Sequence, residues 1–151
     1  MKSIFVLALL LASTTTETIV HEFHKLQSQK AELSFVEKYK SYTDISVQAY
    51  VLAARMKQLE YENNPFSKLK QFHSYADELD ALVKANPDNA HLRYMRLVIQ
   101  EKTPSLLQYN DEIAEDKQKI QQLLLKDKTL NYLTNYIKDN TSLWILYLIP
   151  L

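Results

Sequence analysis

The sequence predicts an all-α protein of antiparallel helix pairs, arranged as a short α-solenoid or as an irregular helical bundle. Glycine, which averages about 7% of residues in proteins, is absent from all 151 positions. Since glycine supplies the positive-φ positions of tight hairpins and bulges, its absence argues against a β-rich fold. Apolar residues recur at helical spacing through most of the chain, and corners containing proline and asparagine separate these segments.

Seven helices are predicted from this periodicity. Asp44, or Thr43 before it, is the expected cap of the third helix, and Asn64 followed by Pro65 is typical of the start of the fourth. Asn110 is the expected cap of the sixth, ahead of acidic residues that favour a helix N-terminus. The predicted helices span about 17–27, 30–40, 45–61, 66–85, 89–101, 111–126 and 130–138.

The apolar stripes separate inner helices from an outer one. The third and fifth predicted helices carry apolar residues on two opposite sides, which predicts that each is sandwiched between neighbours. The fourth is apolar on one side only, so that side should cover the core while the other faces water. Its expected inward stripe is Leu69, Phe72, Ala76, Leu79 and Val83. The tyrosines expected in the core are Tyr50, Tyr61, Tyr75 and Tyr94.

The corner between the fourth and fifth helices reads ALVKANPDNAHLRY. It resembles the junction between tetratricopeptide repeats, where a helix with small residues ends and a proline–asparagine turn opens the next pair. The interval from one helix pair to the next is about 44 residues, longer than the 34 of that repeat, and the repeat's glycine is missing. The resemblance implies tetratricopeptide-like stacking of helix pairs.

A second resemblance covers roughly a third of the chain, within 64–117. The segments NPFSKLKQF, NPDNAHLRYMRLVIQE and TPSLLQYNDEIAEDK together resemble the core of a family of uncharacterised exported proteins from Bacteroidetes-type bacteria. That family often carries a glycine where Gln108 stands here. The resemblance implies a signal peptide and an all-helical fold, and it brings no activity and no site residues.

The N-terminus has the three parts of a secretory signal. Lys2 is a positive start, residues 4–12 are an apolar run, and Ala12, Ser13 and Thr14 are small residues suited to cleavage. We therefore expect a signal peptide over 1–16, a single helical domain over 17–151, and a periplasmic or secreted protein. The alternative is that this run forms a buried first helix of a cytosolic protein.

A second apolar run, LWILYLIPL, ends the sequence at residues 143–151. It is short for a membrane span, which needs about 20 apolar residues, so no integral span is predicted in the mature chain. The run is expected to be a last helix that closes an exposed face of the core. The alternative is a surface patch that meets a partner or a membrane.

Charge and missing residue types exclude several classes of function. Eighteen basic and eighteen acidic residues cancel, so no overall field favours nucleic acid as a partner. Without glycine, glycine-rich nucleotide loops and nucleophile elbows are excluded. Without cysteine, thiolate catalysis and cysteine zinc sites are excluded as well. No catalytic residue and no cofactor is therefore predicted.

The stretch IVHEFHKL, residues 19–26, comes close to a zinc motif. His21 and His24 are three residues apart, whereas the zincin motif HExxH places its histidines four apart on one helix face. Glu22 lies on the side of His21 away from His24. We expect a solvent-facing polar flank of an amphipathic helix and no metal ligand. A small metal-dependent hydrolase using the two histidines is the alternative.

Arg93, Arg96 and Gln100 form the only polar stripe on the fifth helix. They are the candidate partner-binding residues, because arginines lining a concave groove grip a carboxylate or phosphate bidentately. In the structural alternative they pair with Glu112, Glu115 or Asp116 and hold the following segment. His91, among the apolar residues of the same helix, is expected to be buried, neutral and hydrogen-bonded.

The functional expectation is a non-catalytic, exported binding or scaffolding module of the cell envelope. Its partner would be an unidentified protein. Its surface would be the groove side of the third and fifth helices, with Arg93 and Arg96 as polar anchors.

Overall fold

The computed structural model describes residues 15–143, and over this range the chain is all-α, as predicted. The predicted signal peptide and the apolar tail lie outside the described residues, apart from residues 15, 16 and 143. Short 3-10 helices follow α3, α5 and α6 at Leu59–Tyr61, Ser105–Leu107 and Lys128–Leu130. The α-helices are α1 Thr16–His24, α2 Gln29–Tyr39, α3 Ile45–Gln58, α4 Pro65–Ala85, α5 Ala90–Lys102, α6 Ile113–Lys126 and α7 Leu133–Asn140.

Side-chain caps start the central helices where the sequence indicates. The carboxylate of Asp44 accepts hydrogen bonds from two backbone amides in the first turn of α3. Asn64 does the same for α4, with Pro65 at the first helical position, and Asn89 caps α5. Each cap satisfies amides that have no partner inside the helix, which is worth about 1 kcal/mol.

The predicted cap of α6 is wrong. The helix begins at Ile113 instead of following Asn110, and the residue before it, Glu112, makes no side-chain cap. The phenol of Tyr109 donates a hydrogen bond to Asp80 on α4 at 3.0 Å. Residues 111–112 form a turn between this contact and the start of α6.

Helices α3 and α5 form the centre of the fold, which confirms the two-sided patterns. Helix α3 packs against α1, α2, α4 and α5, and α5 packs against α3, α4 and α6. Tyr50 and Tyr94, one from each central helix, are fully buried. The all-α class is confirmed, whereas tetratricopeptide-like stacking stays a prediction. The buried residues of α3 are Val47, Ala49, Tyr50, Val51, Leu52, Ala53, Ala54 and Met56.

Helix α4 follows its predicted inward stripe only in its C-terminal half. Ala76, Leu79 and Val83 are buried, but Leu69 is 40% exposed and Phe72 is half-buried. The N-terminal half of α4 therefore borders a groove instead of closing the core. Tyr61 is also 40% exposed, against prediction, because the 3-10 turn after α3 changes its angular position.

Gln108 adopts a left-handed backbone conformation, with φ 49° and ψ 44°. This conformation costs a residue with a Cβ about 1–2 kcal/mol, while glycine takes it freely and loses about 0.5–1 kcal/mol in chain entropy. We therefore expect Gln108→Gly to raise the free energy of unfolding by about 0.5–1 kcal/mol, measured by urea denaturation. Gln118→Gly, at an exposed position inside α6, should lower it by about 1 kcal/mol. Equal losses in both variants would contradict the expectation.

Within residues 15–143, no helix combines the length and the apolar character that crossing a bilayer requires.

Candidate functional site

A groove of about 790 Å³ opens between α1, α3, α4 and α5. Its volume lies in the range of small-molecule and cofactor sites, about 300–1,000 Å³. Helices α3 and α5 both contribute to its lining, and α4 forms an additional wall. The apolar lining residues are Phe23, Leu26, Ala53, Met56, Leu59, Pro65, Leu69, Phe72, Met95, Val98, Ile99, Pro104 and Leu107.

The groove exists because of local features of α3 and α4. Ala53 of α3 is small, so it leaves space between the flanking Met56 and the side chains of α5. On α4, Lys68, Leu69 and Phe72 line the same groove, and Phe72 lies one helical turn after the other two, at i+4 from Lys68 and i+3 from Leu69. Leu69 keeps 40% of its surface exposed, so this apolar wall is open to solvent.

Lysines surround the apolar lining. Lys57, Lys68 and Lys102 border the groove, and Glu60 is the acid among the described lining residues. Lys57 pairs with the buried Glu32 at 3.5 Å. Among residues 15–143, neither Lys68 nor Lys102 belongs to an ion pair. The mouth of the groove therefore carries an excess of positive charge.

His24 lines the groove and corrects the expectation of a solvent-facing flank. Its ring stacks on Tyr136, with centroids 4.4 Å apart and planes 8° from parallel, and its Nε2 lies 3.1 Å from the hydroxyl of Tyr94. Burial lowers the pKa of His24 to about 4, and the charges of Lys102 and Lys57 act in the same direction. The imidazole is therefore neutral at pH 7. The sequence alone could not place α7 beside α1.

His21 and Glu22 of IVHEFHKL also contact other side chains. His21 is exposed, and its Nδ1 lies 2.7 Å from the hydroxyl of Tyr136. Glu22 accepts a hydrogen bond from Tyr39 at 2.5 Å and pairs with Lys38 at 2.9 Å. Over the range that the structure describes, no three histidine, cysteine, aspartate or glutamate residues are grouped to hold a metal ion.

Arg93 and Arg96 lie between α5 and α6, away from the groove. Each is only 5% exposed. The Nη1 of Arg93 lies 2.6 Å from Glu115 and 2.8 Å from Asp116, while the Nε and Nη2 of Arg96 each lie 2.7 Å from Asp116. Arg96 also contacts Asp80 on α4 at 3.2 Å. The ion pairs of the structural alternative are therefore present.

Burial alone would lower the pKa of Arg96, but hydrogen bonds and charge attraction to Asp116 and Asp80 outweigh it and raise the pKa.

Gln100 is 1% exposed and donates a hydrogen bond to Glu112 at 2.7 Å. Its Oε1 has no hydrogen-bond partner among the described residues. Helix α6 covers the polar stripe of α5, so the expectation that the stripe lines the groove is corrected. A role of Arg93, Arg96 and Gln100 in partner binding stays a prediction.

Comparison with known proteins supplies no family for this chain. No protein-family model, no curated protein and no solved structure matches it. The resemblance of residues 64–117 to an exported family therefore stays a prediction, and function is argued from the geometry of the groove.

His91 is buried and hydrogen-bonded, as predicted. It is 5% exposed, its Nδ1 lies 2.8 Å from the hydroxyl of Tyr50, and its Nε2 lies 3.2 Å from that of Tyr132. Burial lowers the pKa of His91 to about 4, although the charge of Asp44 acts to raise it. This histidine therefore links α3, α5 and the segment just before α7 as a neutral group.

The residues missed by the sequence analysis are the lysines of the groove. Lys68 was placed on no functional surface, although it neighbours Leu69 and shares a helix face with Phe72. A lysine beside Leu69 and one helical turn before Phe72 was the available signal. Lys57 and Lys102 gave no such signal, because their position depends on how α3 and α5 pack.

Proposed function

We propose that this chain is a non-catalytic helical binding module of the cell envelope, and that the lysine-bordered groove is its binding site. The observation that carries the proposal is the open apolar surface of the groove. A concave, mainly apolar groove of about 790 Å³ with a few charged groups at its border has the usual form of a ligand site. Leu69 in its wall is 40% exposed, so the groove is accessible from solvent.

Export is part of the same proposal. It rests on the N-terminal order of charge, apolar run and small residues, with the signal peptide over 1–16 and the module over 17–151. Mass spectrometry of the periplasmic and secreted fractions should find a mature N-terminus near residues 14–17. Chain found only in the cytosol, with its first residues retained, would contradict export while leaving the groove unaffected.

The groove itself can be tested with a neutral apolar fluorophore. Nile red is expected to bind at one saturable site, and Leu69→Asp should weaken its affinity about tenfold, since a charge then lies in the apolar wall. Leu69 is 40% exposed, so the fold should tolerate the change, and thermal unfolding checks this.

The matched control for Leu69→Asp is Leu125→Asp. Leu125 is 49% exposed on α6 and does not line the groove, so its replacement should leave Nile red binding as it is. Absence of saturable binding, or equal weakening by both variants, would overturn the assignment of the groove as a binding site.

A further inference from the structure

We propose that the groove takes the alkyl chain of a free long-chain carboxylic acid and that Lys68 and Lys102 bind its carboxylate. The inference rests on the proposed function and names the ligand class of the same site. Its first support is charge. Three lysines and a single glutamate border the groove among the described residues, so an anionic head group is complementary and a cationic one is not.

The two lysines named are the ones available to a ligand. Lys57 already has a carboxylate partner in Glu32 at 3.5 Å. Lys68 and Lys102 take part in no ion pair within residues 15–143. They come from α4 and α5, so a carboxylate at the mouth can receive a charge-assisted hydrogen bond from either wall.

The second support is size. A methylene group takes up roughly the 30 Å³ of a water molecule in the liquid, so a 16-carbon chain needs about 480 Å³. The groove, at about 790 Å³, therefore has room for one alkyl chain of this length.

The third support is the chemistry of the lining. Met56 and Met95 come from facing helices, and unbranched methionine side chains adapt to a flexible ligand. His24, beside them, is neutral and stacked on Tyr136, so it adds no charge next to the alkyl chain. Val98, Ile99 and Leu107 complete the apolar part of the lining, whose uncharged polar members are Thr103 and Asn140 besides His24.

The test measures displacement of Nile red from the full chain by hexadecanoic acid and by hexadecan-1-ol, both below the concentration at which they aggregate. The acid is expected to bind about tenfold more tightly than the alcohol. Shortening the acid from 16 to 14 carbons should weaken binding about tenfold, because each buried methylene contributes a factor of about four at most. The double variant Lys68→Gln, Lys102→Gln should remove the preference for the acid and leave the affinity for the alcohol unchanged.

The control is the double variant Lys70→Gln, Lys84→Gln, which removes the same charge from exposed positions of α4 outside the groove. It should keep the preference for the acid. Equal binding of acid and alcohol, or equal effects of the two double variants, would overturn the proposal.

Three further outcomes separate this proposal from its alternatives. If Nile red binds but the acid does not displace it, the ligand class is wrong while the groove remains a binding site. If Nile red itself does not bind, the proposed function fails first. Lysine-dependent sedimentation with phosphatidylcholine vesicles containing anionic phosphatidylglycerol, without binding of the free acid, would assign the lysines to a membrane surface and overturn the proposal.

Discussion

Replacing Asp116 by asparagine is expected to lower the free energy of unfolding by about 3–5 kcal/mol. The carboxylate of Asp116 is fully buried and lies 2.7–2.8 Å from guanidinium nitrogens of both Arg93 and Arg96. Asparagine keeps the shape but removes the charge, so two buried cations lose their common partner. Domains of this size are stable by about 5–15 kcal/mol, so the loss takes a large part of the total.

Urea denaturation followed by circular dichroism measures this effect. The matched control is Glu115→Gln, because Glu115 pairs with Arg93 at 2.6 Å but is 64% exposed. An exposed ion pair contributes about 0–1 kcal/mol, so this variant should unfold close to the native chain. An Asp116→Asn variant within 1 kcal/mol of the native chain would contradict the structural role of the pair.

A triple variant separates stability from function in the same network. Arg93→Met, Arg96→Met and Asp116→Leu replace the buried ions together, and such replacement of a buried ionic cluster is often neutral or stabilising. We expect the triple variant to regain most of the stability lost in Asp116→Asn. If it also binds Nile red normally, the arginines hold α6 to α5 and do not bind the ligand.

The fold class was predictable because the relevant signals are local. Asp44 and Asn64 cap helices through their own neighbouring amides, and a helix that is apolar on two sides, such as α3, can only be buried between others. Tyr50 and His91 lie on such surfaces, so their burial followed from the pattern. These inferences need no knowledge of which helix meets which.

The candidate site was less predictable because it depends on contacts between distant segments. His24 has the spacing of a polar flank, but α7 brings Tyr136 against it. Leu69 and Phe72 continue the inward stripe of α4, yet α3 and α5 leave a groove beside them. The apolar periodicity of one helix does not show where its neighbours stop covering it. Apolar residues that line a site therefore have the same sequence pattern as apolar residues of the core.

Lowering the pH from 6.5 to 4 is expected to cost about 3 kcal/mol of stability through His91 alone. Its pKa is about 4 in the folded chain and about 6.5 in the unfolded chain. Between these values the unfolded state binds the proton and the folded state does not, so stability falls as pH falls. Above pH 6.5 the imidazole is neutral in both states and this contribution is fully present.

The measurement is urea denaturation of the native chain and of His91→Gln at several pH values from 7 to 4. Glutamine stays neutral throughout, so between pH 7 and pH 4 the free energy of unfolding of the variant should fall by about 3 kcal/mol less than that of the native chain. The contacts of residue 91 with Tyr50 and Tyr132 are weakened in the variant at every pH. Parallel pH curves for the native chain and His91→Gln would mean that burial of this imidazole does not govern its protonation. The low pKa follows from burial between two tyrosine hydroxyls, so the same experiment tests whether α3, α5 and the segment before α7 pack as closely as the structure places them.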